Sequence, residues 1–240
     1  MGIISQGLLF VHVVAGLLSL VLFWVPVFTR KGGVNHRKIG HWYVWGMWIV
    51  AISALILSIE NAVMGQINMA LFLGFLSLIT ARPLCLGIEC LNSKKQVTRN
   101  YRLLHLSTSA GVTIAGAILL AHGLSTSDGF SVLMIIFGIL GISSLGEAFK
   151  LIKADDGTVY QSWLNDHIAN MCASGIAAHT AFLVFGARSI VANVDHPAFS
   201  IAIWVAPSVI GLIGIEYGKR HFGSKRNTAQ ARTQLHHRPN

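Results

Sequence analysis

Long apolar runs, broken by short polar and basic connections, fill most of the chain. A membrane-spanning helix needs about 20 mostly apolar residues at 1.5 Å rise each. Seven windows meet that length: 7–29, 40–62, 66–90, 104–123, 129–150, 165–187 and 198–217. The pattern predicts an all-α, polytopic membrane protein, a seven-transmembrane-helix bundle over residues 1–217 with a basic, disordered tail at 218–240. Small residues at helix-contact spacing, Gly111 with Ala115 and Ser174 with Ala178, predict close helix approach. No internal repeat of 20–50 residues occurs.

Charge fixes the expected orientation. Alternate connections carry Arg30, Lys31, Arg37 and Lys38, then Lys94, Lys95, Arg99 and Arg102, then Lys150 and Lys153. The tail adds Lys219, Arg220, Lys225, Arg226, Arg232 and Arg238, so 16 of the 18 Lys and Arg residues fall on one side. The opposite connections hold only Arg188, and Arg82 lies inside the third span. The positive-inside rule then puts the N-terminus outside and the C-terminus in the cytoplasm of a multi-pass protein of the inner (cytoplasmic) membrane. A six- or eight-span arrangement scrambles this sorting. The net charge of +9 also finds its partner here, in the anionic lipids of the inner leaflet, without nucleic acid. The first span has no Lys or Arg before it and no small-x-small site, so it reads as a signal anchor.

Composition agrees: 11% of residues are charged, against about 25% in a soluble domain. Of the three cysteines, Cys85 and Cys90 fall near the end of the third span and Cys172 in the sixth. They lack the spacing of a zinc ribbon and read as small packing residues.

Ionisable side chains inside a membrane are costly and mark sites by default. With the orientation above, the histidines form two layers. His12, His122 and His179 lie toward the outside, with Glu60 closing the second span on that side and His196 in an outer loop. His41, His105 and His167 lie at the cytoplasmic ends of spans two, four and six, with His36 in the loop before span two. Two layers of imidazole are what a transmembrane electron path through two haems requires, each iron held by two histidines on facing helices. His12, His41, His105, His122, His167 and His179 are therefore the candidate cofactor ligands. The expected pairs are His12 with His179 in the outer centre and His105 with His167 in the inner one. Phase supports this only in part, because His167 and His179 are 12 residues apart, about 120° of rotation.

Arg82, followed by the kinking Pro83, needs a partner at membrane depth, and Glu147 near the inner end of span five is the first candidate. Glu89 and Glu216 also close spans on that side. Beyond a staple, Arg82 could hold an anionic group such as a carboxylate, a phosphate or a haem propionate. Asn165 and Asp166 read as caps of the sixth helix, with Asp166 able to act on a histidine. His236 and His237 belong to the polar tail.

The densest local pattern is Lys31-Gly32-Gly33-Val34-Asn35-His36-Arg37-Lys38-Ile39-Gly40-His41-Trp42-Tyr43, with Met47 one turn on. It reads as a tight basic turn leading into a helix whose first polar residues, His36, Arg37 and Tyr43, face a site. With His12 and Gly16 before it, and His167 to Met171 and Thr180 to Phe182 after it, this signature resembles a bacterial "predicted membrane protein" family of unknown function. The resemblance covers roughly residues 5–217 and implies a seven-helix integral membrane protein of unassigned chemistry. More distantly, the histidine placement is similar to the cytochrome b561 and ferric-reductase group, which implies b-type haem.

The leading functional expectation is thus a b-haem-binding transmembrane redox protein exchanging electrons with a quinone or another redox partner. A proton-coupled small-molecule transporter also explains intramembrane His, Arg and Glu, although no repeat or paired broken helices accompany them. A membrane-embedded metal-dependent hydrolase needs three converging ligands, for which His12, His122 and His179 with Glu60 are the candidates. A retinal protein is disfavoured, since the seventh span, Ala198 to Tyr217, lacks a lysine for a Schiff base.

Overall fold

A computed structural model describes residues 3–94, 97–127, 130–152, 163–186 and 197–223. Every regular element among them is helical: α1 (Ile3–Phe28), α2 (Val34–Val63), α3 (Ile67–Glu89), α4 (Arg99–Ser125), α5 (Ser131–Ile152), α6 (Trp163–Ala181) and α7 (Pro197–Gly218). Short π-helical turns, Phe182–Gly186 and Lys219–Gly223, extend α6 and α7. Arg188, His196, Lys153, His236 and His237 lie outside the described residues. The helical run continues through Gly223, so the first residues assigned to the tail prolong the seventh helix.

The surface is the reverse of a soluble protein's. Buried positions are often hydroxyls, among them Ser19, Ser53, Ser77, Ser109, Ser144 and Ser174, while Phe10, Val21, Ile114 and Ile136 point outward. Without a hydrophobic force between helices in lipid, small and hydroxyl residues at the contacts let backbones approach and supply hydrogen bonds. Ser77 Oγ donates to the Ala51 carbonyl (2.8 Å), Ser58 Oγ to that of Ala70 (2.7 Å), and Thr113 shares a bond with Ser144 (3.0 Å). Six of the helices, α1 to α6 (α6 with its π-turn), are long and apolar enough to cross a membrane. The protein is a multi-pass membrane protein in architecture.

Helices α1 to α5 pack each against the next in the chain, as α6 does against α7, and α3 is the hub, touching α2, α4 and α6. Helix α6 lies across α3 and also reaches α1 and α7. The closest seam is between α4 and α5, where a Cβ on Gly116 would stand 2.8 Å from the Gly141 Cα. This seam, and not Gly111, carries the close approach: a Cβ on Gly111 would meet nothing within 4 Å. The other expected pair does pack, with Ser174 fully buried and Ala178 against the cluster of Tyr43, Met47 and Leu84.

Helix starts differ from the apolar windows at the basic end. Helix α2 begins at Val34 rather than 40, and α4 at Arg99 rather than 104. Hydropathy marks the hydrocarbon layer, whereas Asn35, Arg37, Lys38 and Arg102 continue the helix into the headgroup region. Thr98 fixes the start of α4 by accepting the Tyr101 backbone N–H on its side chain (3.1 Å).

Candidate functional site

The basic turn between α1 and α2 explains most of its own signature. Gly32 takes a positive φ of 72°, which glycine adopts without strain. A side chain on Gly33 would crowd the Arg30 carbonyl at 3.0 Å. Lys31 folds back so that its ammonium donates to the Pro26 carbonyl (2.8 Å) and to that of Val27, two of the carbonyls that the end of α1 leaves without helical partners. Burial there pulls the Lys31 ammonium below the ordinary lysine value. A Cβ on Gly40 would lie 3.9 Å from the Pro26 ring, so α1 and α2 pass closely here.

His36 completes the cap. Its Nδ1–H donates to the Pro26 carbonyl (3.1 Å). Across the same end of the bundle, His167 in the first turns of α6 donates Nδ1–H to the Gly87 carbonyl (2.7 Å). Gly87 stands in the last turn of α3, where helical partners also run out, and its carbonyl accepts the Cys90 thiol as well (3.3 Å). A side chain on Gly87 would collide with Met171, so this residue lets α6 settle onto α3. The two rings, one on α2 and one on α6, have centroids 6.4 Å apart and planes inclined by 55°. Because a carbonyl can only accept, both Nδ1 atoms carry the proton, which in the neutral imidazole leaves the lone pair on Nε2. Neither Nε2 has a partner among the described residues.

About two turns deeper, Tyr43 on α2 is buried and hydrogen-bonded to Ser174 Oγ of α6 (2.7 Å). His179 has both nitrogens engaged: Nδ1–H donates to the Gly175 carbonyl (2.7 Å), and Nε2 accepts from the Trp24 indole (3.1 Å). His12 instead meets α2, with Nδ1 on Ser53 Oγ (2.8 Å). His12 and Trp24 are twelve positions apart on α1, about 18 Å of rise, so His12 and His179 engage the bundle at different levels. His122 Nε2 pairs with Asn68 Oδ1 (2.7 Å) at the end of the bundle away from the basic turns. Asn68 also lines a shallow surface cavity of about 340 Å³ with Gly65, Gln66, Ile67, Met69 and Phe130. His41 is exposed and bonds its own helix at the Arg37 carbonyl (2.6 Å). Arg37 is also exposed, and Glu60 lies half-buried near the far end of α2. Among the described residues, no group of three His, Cys, Asp or Glu side chains could hold a metal ion.

A second polar cluster joins α3, α4, α5 and α6. Arg82 is part-buried, with 14% of its side chain exposed, and its Nη2 donates to Glu147 (2.8 Å) and to Ser109 Oγ (3.1 Å). The partner inferred for Arg82 from sequence is therefore the one it has. Tyr101 donates its hydroxyl to Asp166 (3.3 Å) and tilts against the His105 ring at 5.9 Å. His105 thus sits with Tyr101 on the α4 side, while His167 turns toward α2 and α3. The partner His167 meets is His36, assigned from sequence to the loop's polar residues rather than to a ligand pair. The signal available was the motif itself, since a histidine three residues after a Lys-Gly-Gly turn falls in the first turn of the next helix.

No protein-family model, curated protein or solved structure matches the chain.

Proposed function

We propose that this chain is a seven-span redox protein of the cytoplasmic membrane, with its N-terminus outside, its C-terminus inside, and a b-type haem held between His36 and His167 at the cytoplasmic end. The observation that carries the reading is the paired imidazoles, each pinned through Nδ1–H to a helix-end carbonyl with Nε2 unused. Such a carbonyl bond fixes ring and tautomer and raises ligand basicity, as outer partners do for metal-bound histidine. His36 and His167, on facing helices, are the residues that would hold the iron through Nε2. Their rings stand 6.4 Å apart, near enough for both to reach one bound group. A bound haem would supply one-electron chemistry, its potential set by the two histidines that would hold it and by burial.

The reading keeps one centre of the expected two. His179 uses both nitrogens within the protein, and His12 is tied to a different level, so neither is assigned a ligand role. The sorted basic residues support the seven-span count and the orientation. The test is the visible spectrum of full-length protein purified in mild detergent from haem-replete cells. A Soret band that sharpens and shifts on dithionite reduction is expected in the wild type and in His105→Ala. It should be lost in His36→Ala and in His167→Ala. A colourless wild-type preparation would sink the redox reading.

A further inference from the structure

Helix α1 is the least enclosed of the six spans, with 11% of its apolar window buried against 22% or more in the others. It reaches α6 through Phe23 and Trp24. The Phe23 ring fills the space that a side chain on Gly175 would need, and the Trp24 indole donates to His179 Nε2 (3.1 Å). Neither partner of His179 can change its role. An indole N–H only donates, so Nε2 must offer its lone pair. The Gly175 carbonyl only accepts, so Nδ1 must carry the proton (2.7 Å). The ring is thereby held in one neutral tautomer. His36 and His167 differ, because each can take a second proton at Nε2 and keep its carbonyl bond. On His179 a second proton would set one N–H against another at hydrogen-bond distance. Protonation and the Trp24 bond exclude each other.

Among the described residues, no carboxylate stands ready to offset an imidazolium there. Helix α7, which packs along α6, carries no ionisable side chain from Pro197 to Ile215, and the turn Phe182–Gly186 has none. Lys219, Arg220 and His221 follow Gly218, which packs on Ile168 near the other end of α6. On α1 the ionisable group is His12, tied to Ser53 at another level. On α2 the Tyr43 hydroxyl is bonded to Ser174. On α3, Arg82 is bonded to Glu147, while Cys85 and Glu89 flank Gly87 at the level of His167. Water reaches the bond from the basic-turn end of α1. Trp24 is 44% exposed and lies six residues, about 9 Å of rise, before Arg30. Tryptophan is enriched at that boundary between membrane and water.

We infer that the bond between Trp24 and His179 is a proton-sensitive tie, which holds α1 to α6 while the imidazole is neutral and lets go when it is protonated. Release leaves α1 attached through α2 and the Phe23 contact. The test uses the full chain, isotope-labelled at its six tryptophans, in detergent micelles, with the indole N–H signals followed by NMR. The signal missing from Trp24→Phe belongs to Trp24. On acidification from about pH 8 to about pH 5, the range in which imidazole titrates, that signal should shift. In His179→Gln it should stay, because an amide oxygen accepts the indole N–H at either pH. The same acidification should raise the SDS-induced unfolding constant about threefold more in the wild type than in His179→Gln, the weight of one side-chain hydrogen bond in a membrane protein. Trp24→Phe keeps an aromatic ring at this position and frees His179 to take its proton. It should share the smaller acid response even if His179→Gln folds poorly. A wild-type Trp24 signal that ignores pH overturns the proposal, as does an equal shift in His179→Gln. Equal acid responses of stability in the wild type and both variants would overturn it as well.

Discussion

Replacing Ser174 with alanine should destabilise the protein more than replacing Tyr43 with phenylalanine, although both changes delete one hydroxyl from the same hydrogen bond. The direction of that bond is the reason. Ser174 Oγ donates its only proton to the Met171 carbonyl (2.8 Å), so Tyr43 must be the donor in the 2.7 Å bond between them. In Tyr43→Phe, Ser174 keeps its bond to Met171 and loses only an accepted proton. The cost should be near the membrane average for a side-chain hydrogen bond, about 0.6 kcal/mol. In Ser174→Ala, the Tyr43 hydroxyl stays buried, at 3% residue exposure, with nothing to donate to. A stranded buried donor costs about 1–3 kcal/mol. The double variant should match Tyr43→Phe, because removing both groups strands neither. Thermal and SDS-induced unfolding of the purified protein measure all three. If Tyr43→Phe proved the more damaging single change, or the double variant the worst of all, the assigned direction of the bond would be wrong.

Cysteine labelling should find residues 30–38, 91–103, 151–163 and 218–240 on the cytoplasmic side; an external C-terminus would overturn the seven-span reading. Glu147→Gln leaves the Arg82 charge uncompensated, at roughly 2.5–3.5 kcal/mol on the insertion scale, whereas Arg82→Gln leaves a carboxylate within about two turns of the end of α5, which can be neutralised by taking up a proton. Unfolding should therefore rank Glu147→Gln as the more damaging, and the opposite order would refute the asymmetry. Gly175→Val drives a side chain into the Phe23 ring and should cost about 1–3 kcal/mol, while Gly111→Ala, with open space around it, should change stability by less than about 0.5 kcal/mol. Equal effects of the two would mean that α1 yields to α6 at no cost.

What the amino-acid sequence discloses here follows from how local the physics is. The helices are legible because each must satisfy its own backbone in lipid, a requirement that leaves its mark within a single run of residues. Arg82 and Glu147 could be paired from sequence because a buried cation at that depth has few carboxylates within reach. The histidine pair could not, since it depends on which helices are neighbours. Depth alone matched His167 with His105, but α6 lies across α3 and brings His167 to His36. Periodicity is equally silent on the π-helical turn at Phe182–Gly186, whose residues are as apolar as those of any span. Gly111 failed as a contact for a related reason: spacing identifies a face of a helix, not what stands opposite it.

The placement of α6 against α1 and α3 also sets the order in which the molecule can be completed during synthesis. His36 and His167 are 131 residues apart, so at about 5–20 residues per second the second imidazole emerges roughly 7 to 26 s after the first. Through that interval α1, α2 and α3 can pair with their chain neighbours, and α4 with α5, without α6. The nascent protein is then an inserted bundle without the paired imidazoles, and the Gly87 carbonyl still lacks its bond from His167. Any chain released before the sixth helix would carry the whole basic turn signature and still lack the pair.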